Sequence, residues 1–135
     1  MTAEVIYTGD LRTRATHLAS GQNLITDAPL DNQGRGEAFS PTDLCATSLA
    51  ACILTIMGIR ARDAGIDMTG TTIRVHKIMS AEPPRRIARI ELIMTMPALP
   101  YSPEEKRVLE EAASSCPVCR SLSEALAVQK TIRWQ

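Results

Sequence analysis

Aromatic side chains are scarce in this chain: one tryptophan, two tyrosines and one phenylalanine make up 3% of 135 residues. That excludes the stacking platforms on which proteins hold single-stranded nucleic acid. An excess of either charge is missing too, because 15 basic and 15 acidic side chains cancel to a formal net charge of zero and neither sign gathers in a block. Nucleic acid is therefore not an expected partner. The opening MTAEVIYTGD has neither the basic start nor the apolar stretch of a secretion signal. The longest uncharged run, Leu44 to Ile59, is shorter than a bilayer requires, so no membrane span is expected and the expected location is cytoplasmic.

What the chain does have is enough length for one domain, 1–135, to bury a core without staples, and four cysteines. Thiols in a cytosolic chain are more often reduced, catalytic or metal-binding than structural disulfides.

The patterning predicts an α+β fold. EVIYTG, RTRATHLAS and QNLITDA alternate as strands, with turn signals at Gly9-Asp10 and Ser20-Gly21, and so predict an N-terminal antiparallel meander. Pro29 to Phe39 is dense in turn residues and reads as a loop. Ser40-Pro41-Thr42-Asp43 combines an N-cap residue, a proline in the first helical position and an acid in the third, which predicts a helix running to about Ala64 before Gly65. Its segment Leu44 to Ile59 is apolar or small all round, as in a central or interface helix.

A second hairpin follows. Ile73, Val75 and Met79 alternate with polar neighbours, and beyond SAEPPRR the positions Ala88, Ile90, Leu92, Met94 and Met96 share one face of a strand. Ser102-Pro103-Glu104-Glu105 reads as a capping box for a second helix ending near Ser115, with Val108, Leu109, Ala112 and Ala113 on one side. A short third helix from Pro117 and a closing strand, QKTIRW, complete the chain.

For Cys45 and Cys52, apolar packing is the commoner fate of such residues. Cys116-Pro-Val-Cys119 says more, because a cysteine at a helix N-cap lies beside unpaired N–H groups that favour the thiolate. Seven residues of regular helix set the Cα atoms of Cys45 and Cys52 about 10 Å apart, too far for one zinc ion or for a disulfide between them. At most one of the two can meet Cys116, which leaves a two-cysteine redox couple as the sharp hypothesis. Helix-dipole physics alone favours Cys45, five residues after the Ser40 cap, and Cys52 would need an outside cation such as Arg12 or Arg14.

Taken together, Ser40-Pro41-x-Asp43-Leu44, then Ala50-Ala51-Cys52, a strand pair, and Cys116-Pro117-Val118 before a short helix resemble the OsmC/Ohr family of thiol-dependent hydroperoxide reductases. The resemblance covers nearly the whole chain. It implies an OsmC-like fold in which two subunits interlock around the long apolar helix, a peroxide-reacting thiol at Cys52 and a resolving thiol at Cys116. An N-terminal-strand arginine, Arg12 or Arg14, is implied as the activating cation, with no metal or organic cofactor. Leu49, Ile53, Ile56 and Met57 are expected to offer an apolar wall to the substrate. The family's organic-hydroperoxide branch has a glutamate after the helix-start proline, where this chain has Thr42, and Cys45 and Cys119 are extra thiols. The implied activity is reduction of organic hydroperoxides or hydrogen peroxide by a homodimer served by an external dithiol. The chief alternative is a non-enzymatic dimeric scaffold or small-ligand binder in which the cysteines only pack. A third reading, a thioredoxin-like exchanger using Cys116 and Cys119, is disfavoured because the chain lacks the βαβ order in which such a motif usually sits.

Overall fold

The computed structural model describes residues 1–135. Six strands and three α-helices follow in the order β1 (Ala3–Gly9), β2 (Arg12–His17), β3 (Asn23–Asp27), α1 (Pro41–Ala64), β4 (Thr72–Met79), β5 (Ile87–Thr95), α2 (Pro103–Ala113), α3 (Pro117–Ser121) and β6 (Ala127–Arg133). The fold is α+β with two separate three-stranded sheets, β1-β2-β3 and β4-β5-β6. The chain forms two compact units, Met1–Cys45 and Ala46–Gln135, described here in turn.

In the first unit β1, β2 and β3 form an antiparallel meander in which Arg12 stands opposite Asp27 and Arg14 opposite both Ile6 and Ile25. The turn after β1 uses left-handed backbone at Gly9, Asp10 and Leu11, where only the glycine is free of steric cost. The buried side chains of this unit are Thr26, Asp27 and Ser40, all polar. Its large apolar side chains lie outside: Val5 and Tyr7 are 62% and 66% exposed on one face, Ile25 57% on the other.

The loop after β3 is shaped by glycine. A Cβ on Gly34 would lie 1.7 Å from the Ala28 carbonyl oxygen, so no other residue fits there. Gly36, with φ 63°, donates its N–H to the same carbonyl at 3.1 Å, which folds the loop back along the end of β3. A short 3-10 turn at Leu30–Asn32 is the loop's only regular element.

Helix α1 starts as predicted, with a reciprocal cap: Asp43 N–H donates to Ser40 Oγ at 3.1 Å, and Ser40 N–H donates to Asp43 Oδ2 at 2.8 Å. It ends at Gly65, φ 68°, where Ile66 N–H reaches the Ala61 carbonyl and Gly65 N–H the Arg62 carbonyl, the two bonds of a Schellman motif.

The second unit holds the hydrophobic core. Ala46, Leu49, Ala50, Ile53, Met57 and Ala61 recur at three- and four-residue spacing along α1 and meet Ile90, Leu92, Met94 and Met96 from alternate positions on β5 and beyond. Ile66 just after α1, Leu109, Ala112 and Ala113 of α2, and Cys116 complete it. Strand β6 adds to β5 in parallel, Arg89 opposite Ala127 through Thr95 opposite Arg133. The uncharged run Leu44 to Ile59 is shorter than a bilayer requires, but it is not the whole of the helix. Over its full 24 residues α1 is, by length and composition only, long and apolar enough to cross one, because the helix extends beyond the uncharged run at both ends, and one stripe of it is buried in the core.

Candidate active site

In the first unit, the two candidate arginines share a face of β2, as residues two apart on a regular strand must. They differ in surroundings. Arg14 is exposed, whereas Arg12 is half-buried and its guanidinium donates to Asp27 Oδ2 at 3.3 Å and to Glu37. Asp27 is fully buried, and its Oδ2 also accepts the Glu37 N–H at 2.9 Å. That backbone bond, followed by the Arg12 contact, holds the Asp27 carboxyl below the usual carboxylate range. Glu37 in turn is the main reason that Arg12 is held even more firmly protonated than a free arginine. The result is a fixed cation between two carboxylates, positioned by the glycine-shaped loop.

Sequence reasoning missed Asp27 and Glu37. Asp27 becomes visible once the β2–β3 register sets it opposite Arg12, and the only sign of Glu37 was its place after Gly34-Arg35-Gly36. Thr42 and Asp43 serve the helix start: the Thr42 hydroxyl lies 3.1 Å from the Ser40 hydroxyl, and Asp43 is the reciprocal cap.

In the second unit, Cys52 and Cys116 are brought into side-chain contact. Cys116 is fully buried, and its thiol points at the Leu49 carbonyl, 4.0 Å away, one turn before Cys52. Helical side chains lean toward the preceding turn, so the Cys52 thiol shares this spot. Cys52 and Cys119 are half-buried at the edge of the core, and Cys45 is half-buried near the start of α1.

Two expectations are corrected here. Cys116 does cap α3, and the N–H groups of Cys119 and Val118 pull its pKa down, but they complete no cap hydrogen bond. Burial, reinforced by the neighbouring Cys52 thiol, wins, and the Cys116 thiol is pushed up rather than toward thiolate. The expected apolar wall is also different: Leu49, Ile53 and Met57 are all 1% exposed or less and face the core, which leaves Ile56 alone of the four half-exposed.

Comparison with known proteins adds the lineage. Residues 34–130 match the OsmC-like protein family. A solved structure from Psychrobacter arcticus, of a protein named for a proposed role in osmotic stress and detoxification response, is 47% identical with a TM-score of 0.92, covering 98% of this chain and 96% of that one. An OsmC-like protein from Mycoplasma pneumoniae is 19% identical with a TM-score of 0.80, covering 98% of this chain and 94% of that one. An organic hydroperoxide resistance protein from Legionella pneumophila is 18% identical with a TM-score of 0.75, covering 98% and 97% of the two chains. A search of curated proteins finds no match. With the family matched over most of its length and the fold shared from end to end, the chain belongs to the OsmC-like protein family.

Proposed function

We propose that this protein is a thiol-dependent peroxidase that reduces organic hydroperoxides or hydrogen peroxide. The observation that carries the reading is the contact between Cys52 and Cys116, two thiols far apart in sequence with different degrees of exposure. Cys52 thiolate attacks the outer peroxide oxygen and alcohol or water leaves. The resulting sulfenic acid condenses with the Cys116 thiol, water leaves, and a disulfide forms that an external dithiol reduces.

The raised pKa of Cys116 suits this division of labour. A buried neutral thiol competes poorly for peroxide, yet it lies in contact with the sulfenic acid it must meet. Arg12 is the proposed cation for Cys52, because its charge is fixed by Asp27 and Glu37 while Arg14 is exposed. The working unit is proposed to be a cytoplasmic homodimer, in which a second copy covers the apolar side chains that the N-terminal sheet exposes on both faces. The competing reading, a scaffold whose thiols only pack, is favoured by the complete burial of Cys116.

The deciding experiment is stoichiometric hydroperoxide consumption by reduced protein. Cys52→Ser is expected to abolish it, and Cys116→Ser to allow one turnover followed by over-oxidation of Cys52 to the sulfinic acid. Undiminished consumption by Cys52→Ser, or none by the wild type, overturns the reading.

A further inference from the structure

The third thiol of this cluster, Cys119, has no part in the reaction above. Cys116 is the N-cap of α3 and Cys119 is the third residue of that helix. The same two positions are used twice more in this chain, by Ser40 with Asp43 and by Ser102 with Glu105. In both, the side chains face each other across the first turn, each bonded to the other residue's backbone N–H. Residues three apart in a helix have Cα atoms about 5 Å apart, inside the span a disulfide bridges. The Cys119 N–H lies near enough to the Cys116 sulfur to pull its pKa down, although it completes no cap hydrogen bond.

Cys116 is fully buried and so out of reach of any dithiol arriving from solvent, while Cys119, like Cys52, is half-exposed and lies on the same short helix turn as Cys116. An intramolecular thiol can reach a sulfur that an external one cannot.

We propose that Cys119 is a second resolving thiol, which attacks Cys116 in the Cys52–Cys116 disulfide, forms a Cys116–Cys119 disulfide and returns Cys52 as thiolate. The inference rests on the peroxidase reading for the origin of the first disulfide. In the exchange Cys119 gives up its proton, the new sulfur–sulfur bond forms as the old one breaks, and the departing electron pair stays on Cys52. No further oxidant is used. The oxidising equivalent moves onto the two cysteines of α3, and Cys52 is free for another peroxide before the external dithiol arrives.

The test uses the full-length reduced protein and one equivalent of tert-butyl hydroperoxide, with acid quench, alkylation and disulfide mapping by mass. The wild type is expected to give Cys116–Cys119 with Cys52 alkylated, and Cys119→Ser to stop at Cys52–Cys116 with loss of the Cys52 label. A wild type that holds Cys52–Cys116 while Cys119 is alkylated overturns the relay. A parallel arm equilibrates the protein in a glutathione redox buffer without peroxide, where Cys116–Cys119 is expected in the wild type and in Cys52→Ser. If hydroperoxide is untouched but this pair forms, the peroxidase reading fails and the thiol pairing stands. If the buffer pairs Cys52 with Cys116 or leaves Cys116 and Cys119 reduced, the pairing is overturned.

Discussion

The two compact units of this chain solve the burial problem in opposite ways. From Ala46 onward most large apolar residues are inside, Ile59 and Leu99 excepted: one stripe of α1, the alternate positions of β5 and one side of α2 close on each other. In the first 45 residues the polar groups are inside, as the Asp27–Arg12 pair and Ser40, and Val5, Ile6, Tyr7, Leu24 and Ile25 are outside. A three-stranded sheet with neither face covered does not hold itself together on hydrophobic burial. The second unit thus holds a core of its own, and the first leaves its apolar side chains for something else to cover. A second copy of the chain is the proposed completion, because large apolar side chains exposed together on both faces of one sheet mark an interface.

The sharpest way to break that contrast is to disturb each unit where its apolar side chains lie. Val5→Asp with Tyr7→Asp, on one exposed face of the N-terminal sheet, is expected to weaken the proposed homodimer by roughly two orders of magnitude, the loss of about 2–3 kcal/mol of burial. The measurement is sedimentation equilibrium over a range of concentrations. Leu49→Ala, in the core of the second unit, is expected to leave association nearly unchanged and to cost about 2–5 kcal/mol in denaturant unfolding. A wild type that sediments as a folded monomer at micromolar concentration ends the argument for a covering copy.

The same division explains what could be read in advance. Where the core is local and periodic, the sequence carried it: Ile90, Leu92, Met94 and Met96 alternate as written, and the caps at Ser40 and Ser102 form as their spacing predicts. The antiparallel meander was legible through its alternation and its turn residues, but not the exposure of its apolar side chains, since alternation says nothing about what covers a face. The parallel pairing of β6 with β5 was not legible either, as it depends on a crossover through α2 and α3. At the site, residue-level physics pointed to Cys45 through the helix dipole, and only the family resemblance singled out Cys52. The fold then brings Cys116 to Cys52, a long-range contact that no local pattern encodes. Glu37 was hidden because it reaches Arg12 from an irregular loop.

A pH experiment sharpens the contrast further. Asp27 has a folded pKa below its ordinary value, chiefly through the Glu37 N–H and then Arg12. A carboxylate depressed in this way contributes stability that is present above its unfolded value of about 3.9 and is lost as pH falls through the folded value. Asp27→Asn is therefore expected to be less stable than the wild type at pH 7, with the gap closing below about pH 4 as the wild-type carboxylate protonates. Urea unfolding at a series of pH values measures this. The Leu49→Ala gap has no titrating group behind it and is expected to stay flat over the same series. A gap that is flat for Asp27→Asn as well would mean that the side chain's shape, not its charge, holds the loop.

The smallest expected effect compares two copies of one motif. Ser40 and Ser102 both open helices with a reciprocal cap, the serine hydroxyl accepting the N–H of Asp43 or Glu105 and the acid accepting the serine's own N–H. Their settings differ: Ser40 is 1% exposed, while Ser102 lies at the surface. At Ser102 an alanine leaves the Glu105 N–H able to bond water, so Ser102→Ala is expected to cost about 1 kcal/mol, the ordinary value of an N-cap. At Ser40 the Asp43 N–H has far less access to water, and a donor left unsatisfied carries its desolvation penalty in addition. Ser40→Ala is thus expected to cost about 2 kcal/mol, at the upper end of the measured range for caps. Chemical denaturation of the two variants at matched protein concentration gives the difference. Equal losses would show that the burial of the first helix start adds nothing to its cap.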